Sequence, residues 1–430
     1  VAETEKFTQS SCQQPASDTM AFDLLLTNAR LIDSEAVTDI GVQNGRFAAI
    51  APGLPREAAE IVDAGGCLVS PGFIETHIHL DKSRIIGRCG CEPARNPHGA
   101  MERVAAVKHT FTVEDVNARA RETLERAISH GTTIMRTHCE VDPRVGMRGF
   151  QGVKALVDAY AWAIDLEICV MPQDGMLDNP GTEELMIEAL KSGATVIGAA
   201  PNYDRDRAGQ IRRVFEIAVE FDVDVDMHLD SGTNPNDMDV ILVCELAEKY
   251  GWQGRCAIGH GTKLASATPE RFLEVTHRMA EAGVALTVLP ATDLFLMGRD
   301  QTENVRRGVV DGVAMIRAGA LANVSTNNVQ NPFTPFGDAQ LIRMANLMAN
   351  VLQRGDAPDL RTVWDMFTEN SAKLLRRGDY GIKVGNPADM VVVDAADPVQ
   401  ALRDIAPVLM GFKRGRRSFT RSRAVLHPPG

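Results

Sequence analysis

Between residues 67 and 327, eight short apolar runs alternate with segments of helical period, and few architectures accommodate that pattern. The runs are Cys67–His79, Ile134–Val141, Leu166–Pro172, Ala194–Ala199, Val223–Leu229, Cys256–His260, Val284–Leu289 and Leu321–Thr326. Thr112–Gly131 shows the helical logic. Thr112 and Asp115 make a start signal, and Val113, Val116, Ala120, Leu124 and Ala127 recur every three or four residues. Gly131 then stops the helix just past His130. Eight buried runs with intervening helices predict an α/β fold, a closed parallel (β/α)8 TIM-like barrel. An open doubly wound sheet is the competing arrangement, but no G-x-G-x-x-G turn follows an early strand.

The flanks are patterned differently. Phe22–Arg30, Asp39–Ile50 with its Asn-Gly hairpin signal, and Glu60–Gly66 read as short strands, as do Gly385–Asp394 and Val408–Gly415. A barrel that closes on itself brings its two ends together, so these half-sheets are expected to build a small β-sandwich domain. The expected division is residues 22–70 plus 378–425 for the sandwich, 71–377 for the barrel, and 1–21 for a flexible lead without the apolar core of a signal peptide.

A formal net charge of −12 argues against a nucleic-acid partner, and the basic stretch Lys413–Arg423 reads as a solvated strand or tail. Eight cysteines lie scattered, Cys89 and Cys91 forming an incidental loop pair, as expected of a reduced, cytoplasmic protein. No apolar stretch reaches the length of a membrane span.

Barrel chemistry sits at the C-terminal ends of strands, so the residues found there matter most. His77 and His79 close the first run and share a face by the i, i+2 rule. His138 closes the second, Gln173 the third, His228 and Asp230 the fifth, His260 the sixth and Asn327 the eighth. Inward imidazoles are costly to bury unless hydrogen-bonded or metal-bound. His77, His79 and His228 would supply three nitrogen ligands and leave a position open for water. His138 is expected to pack, to orient a neighbour or to meet substrate. His98, His109, His130, His277 and His427 fall in loops, helices or the tail and are assigned no site role.

PGFIETHIHL from Pro71, the distant His228 and His260, and GIKVGNPADMVVV from Gly381 together resemble the amidohydrolase superfamily, over nearly the whole span from residue 22 to 425. HIHLDK after the first run, PQDG at Pro172–Gly175 and NPFTPFG at Asn331–Gly337 are most similar to the cytosine deaminase-like branch and to the isopropylammelide-hydrolysing enzymes of s-triazine breakdown. The resemblance implies one divalent metal ion, zinc or iron(II) with manganese as a further candidate, held by His77, His79 and His228. It implies that His260 assists the attacking water or the tetrahedral centre, that Gln173 reads a substrate carbonyl or ring nitrogen, and that Lys82 and Phe333 line the site. The expected activity is hydrolysis of an amidine- or amide-type C–N bond of a small nitrogen heterocycle. A homo-oligomer is left open.

Two positions depart from the family pattern. Ser231 stands where the cytosine-deaminating relatives carry a glutamate, and Asn327 where an aspartate is usual. Asparagine can offer an oxygen but cannot act as a general base, so Asp230, Lys82 or His260 is expected to take the proton. A catalytically degenerate amidohydrolase-fold protein that only binds a heterocycle is the alternative. The net basic segment Arg84–Phe111 follows the first run and is expected to cover the barrel mouth or to form a plain surface excursion, with an anionic or carbonyl-rich ring as preferred substrate.

Overall fold

The computed structural model describes residues 22–90 and 97–428. The expected flexible lead and Cys91 lie outside the described residues.

Eight parallel strands follow one another around a barrel: Phe73–Ile78, Thr132–Glu140, Asp165–Met171, Val196–Ile197, Asp224–Leu229, Cys256–His260, Val284–Val288 and Ala322–Val324. Each expected run overlaps one of them, the second and third strands starting slightly earlier than expected, at Thr132 and Asp165. The ring is completed beyond the eighth strand, where Asn327 bridges to Ile78 in parallel register. Strand two is buried at every position, as burial on both faces demands. The helix Val113–Ser129 begins where expected, with the Thr112 hydroxyl accepting the Asp115 N–H at 3.1 Å.

The first apolar run divides. Leu68–Pro71 pairs antiparallel with Met390–Val393 in a second sheet, and Phe73–Ile78 opens the barrel. The break falls at Gly72, where a Cβ would sit 2.2 Å from the Thr133 hydroxyl, so no side chain fits.

The second sheet draws its strands from both chain ends. Phe22–Leu31 pairs antiparallel with Val37–Gln43 and parallel with Ala58–Asp63 and Leu68–Pro71, and the sheet continues through Met390–Val393 to Val408–Lys413 and Arg416–Thr420. Leu24, Ile40, Phe47, Val392 and Phe412 belong to a core of its own, separate from that of the barrel. The basic stretch fastens this unit to its neighbour. Lys413 is buried against Asp165 (2.9 Å) and Asp389 (2.6 Å), and Arg414 reaches Asp165 at 2.9 Å. Asp165 opens barrel strand three, so charge pairing spans the two sheets.

Candidate active site

Three buried imidazoles, His77, His79 and His138, and the half-buried His228 gather at the C-terminal mouth of the barrel. The Nε2 atoms of His77 and His79 lie 3.1 Å and 2.9 Å from that of His228. Tetrahedral ligands at about 2.0–2.1 Å from a zinc ion would sit about 3.4 Å apart, close to these separations. His138 stacks on His77 with ring centroids 3.9 Å apart, and one nitrogen from each of His77, His138 and His228 lies within 4.8 Å of the others. Two triads can therefore be drawn from four rings. Only His79 and His228 face the cavity described below; His138 is not among its lining residues and lies instead 3.5 Å from Asp226.

His77, His79 and His228 are held as neutral lone-pair donors. Burial, followed by the neighbouring His138, pushes His77 down to about 3. Burial also holds His79 and His228 well below the usual imidazole range. The Nδ1 atoms of His77, His79 and His228 have no hydrogen-bond partner. Neutral, converging and under-satisfied imidazoles suit a cation that accepts lone pairs.

Two buried acids support this floor, and sequence reasoning passed over both. Glu75, two residues before His77, accepts the backbone N–H groups of His77 and Thr326 at 3.1 Å, tying strand one to the end of strand eight. Burial raises its carboxyl to about 7 although those donors pull it down. Asp226, two residues before His228, stands 3.8 Å from His77 Nδ1 and 3.1 Å from Arg136. Burial would raise its pKa, but His138, His77 and Arg136 outweigh that and hold it well below the carboxylate range. In both cases the i, i+2 rule that found the histidines pointed equally to the acid behind each.

The cavity above the cluster has a volume of about 220 Å³, at the small end for a ligand site. Lys82, Gln173, Phe333, Ser231, His260 and Asn327 are among its lining residues. Lys82 Nζ donates to Gln173 Oε1 at 2.5 Å and to Glu140 Oε2 at 3.2 Å, and lies 5.2 Å from the Phe333 ring centroid. Glu140 is shared with Lys108, a buried lysine that also pairs with Asp142 and with Asp174 (2.6 Å). Lys108 follows the helix Pro97–Val107 in the segment after strand one, and that helix brings His98 to the cavity, 5.9 Å from Tyr203 and stacked on it. The segment thus covers part of the mouth, and His98 lines the site although its sequence context gave no sign of it.

Asp230 does not face the cavity. Its backbone takes φ +54°, which ends the strand alternation at that residue. The carboxylate instead accepts the N–H groups of Asp239 (2.8 Å) and Val240 (3.0 Å) at the start of the helix Val240–Tyr250, and pairs with Lys263 at 3.1 Å. It is a helix cap. His260 does line the cavity: Nδ1 lies 2.7 Å from Asp293 Oδ1, and Nε2 lies 3.4 Å from the Asn327 side-chain nitrogen. Asp293 comes from the short helix Pro290–Leu296 after strand seven, where no spacing rule pointed to it. Burial pushes its carboxyl up against the pull of His260.

Comparison with known proteins identifies the family and the fold. The chain matches the amidohydrolase family over residues 68–417. A structure of 5-methylcytosine deaminase from Klebsiella pneumoniae, liganded with 5-fluorocytosine, superimposes with a TM-score of 0.89 at 28% identity, covering 94% of this chain and 99% of that one. N-isopropylammelide isopropyl amidohydrolase of Pseudomonas sp. strain ADP is 27% identical over 92% of this chain and 96% of its own. Pterin deaminase of Rhizobium rhizogenes is 27% identical over 83% and 82% respectively.

Proposed function

The chain belongs to the amidohydrolase family, and from that premise we propose that it is a metal-dependent hydrolase of an amidine- or amide-type C–N bond in a small nitrogen heterocycle. The observation that carries this reading is the meeting of the His77, His79 and His228 Nε2 atoms beneath a cavity walled by Lys82, Gln173 and Phe333. These three imidazoles would hold one divalent cation, zinc or iron(II), with manganese third. His138 backs His77 and orients it. Bound there, the cation supplies Lewis-acid chemistry and lowers the pKa of a water from about 15.7 to roughly 7.

The remaining work falls to the chain. Gln173 gives its carbonyl oxygen to Lys82, which leaves its N–H donors for a ring nitrogen or carbonyl. The lysine beside it favours a carbonyl-rich or anionic ring, and Phe333 offers that ring an aromatic face. His260 takes the proton of the attacking water or stabilises the oxyanion. Ser231 offers a hydroxyl and no carboxylate to the cavity, which argues against cytosine itself.

The reading includes a reducing, cytoplasmic setting, in keeping with six free thiols among the described cysteines. No described helix is long and apolar enough to cross a membrane.

Protein stripped of metal and reloaded with zinc, iron(II) or manganese is expected to release ammonia or an amine from at least one ring in a panel of oxo-heterocycles. The panel includes 5-methylcytosine, a pterin and N-isopropylammelide, after the relatives' names. Binding of such a ring without product under all three metals would identify a binding protein on a disabled site and overturn the hydrolase reading.

A further inference from the structure

We propose that Asp293 is a positioning residue that holds His260 in the tautomer protonated at Nδ1, so that Nε2 presents its lone pair to the cavity where Asn327 cannot accept a proton.

The Asp293 carboxylate sets the tautomer, and the Asn327 amide as oriented fits it. Asp293 Oδ1 lies 2.7 Å from Nδ1, and an ionised carboxylate can only accept, so Nδ1 carries the hydrogen. The Asn327 amide is turned with its nitrogen 3.4 Å from Nε2, an orientation in which it donates to a lone pair there. Asp293 is buried to 1% exposure, and its second oxygen has no partner that would draw the carboxylate away. His260 itself sits at φ +78°, uncommon outside glycine, so its ring direction is not inherited from strand alternation and depends on what anchors the ring. A histidine anchored by a buried acid on one nitrogen and open to the site on the other is arranged to move a proton.

The inference rests on the hydrolase reading for the proton's source. Water adds to the carbon of the C–N bond, one water proton passes to Nε2, and that proton leaves with the departing nitrogen. Water is consumed, an amine is released, and His260 returns to its starting form.

The test uses the full-length, zinc-loaded protein with 15N-labelled histidine, the His260 signals being assigned by their loss in His260→Gln. Near neutral pH, His260 is expected to show a protonated Nδ1 and an unprotonated Nε2. Asp293→Asn is expected to mix or invert that pattern while zinc content holds, and Asp293→Ala serves if the asparagine variant does not fold. On any ring the protein hydrolyses, the same variants are expected to lower kcat by about 10²–10⁴-fold with KM little changed. A His260 protonated at Nε2 in the native chain, or a pattern unmoved by both variants, overturns the proposal. So does loss of zinc alongside the tautomer change, which would make Asp293 a support for the metal floor. Failure to hydrolyse any ring would sink the hydrolase reading and leave the tautomer result standing, so the two failures are distinguishable.

Discussion

Asn327 accepts the backbone N–H of His79 at 2.9 Å and donates its own to the His77 carbonyl at 2.8 Å. The seam that closes the barrel therefore runs through the candidate site, and Asn327 is laced to His77 in strand one and to His79 just past its end. Its φ of +64° is tolerated best by asparagine, aspartate or glycine.

Asn327→Asp keeps this shape and backbone conformation while adding a charge beside the imidazoles. Zinc affinity, read by competition with a chelator, is expected to rise on the order of tenfold. Affinity that stays level or falls would show that the side chain at 327 stands apart from the cation.

Asp230→Ala removes a helix cap and the partner of Lys263, whose side chain is only 6% exposed. Breaking such a buried pair is expected to destabilise the fold by about 3–5 kcal/mol in urea unfolding. Metal content and KM are expected to hold in whatever protein remains folded. Zinc lost while the unfolding free energy stays unchanged would return Asp230 to the site.

His130 follows the helix Val113–Ser129, with Asp338 at 3.9 Å and Arg126, Arg343 and Arg421 around it. Burial pushes its imidazole down to about 4 against the pull of Asp338. Unfolding restores a value near 6.5, so the unfolded chain takes up a proton that the native state refuses. The contribution is whole above about pH 6.5 and is lost as pH falls towards 4, by up to about 3 kcal/mol. In His130→Asn the unfolding free energy is expected to fall less steeply across that window; an unchanged slope would assign the acid sensitivity elsewhere.

Much of this was legible in the chain because burial leaves a periodic mark. The eight strands announced themselves as apolar runs, and His77, His79 and His228 by their place at strand ends. The i, i+2 rule failed at Asp230 because a left-handed residue ends the strand there, whereas Asp226, one step the other way along the same strand, obeyed it. Gly72 hid a boundary inside one apolar run, since close approach to Thr133 leaves no trace in hydrophobicity. Asp293 was beyond reach for a different reason. Its contact with His260 joins a loop-borne helix to a strand end, and only the fold sets that distance.

Glu140 is gripped by two lysines, one lining the cavity and one borne on the covering segment. Remodelling that cover, by a graft from a relative or by drift over generations, would tug on the amide of Gln173 through Lys82 without replacing any residue that meets the ligand. Appetite for one ring over another would then be inherited partly from the roof, and chimeras exchanging only residues 97–110 should shift it.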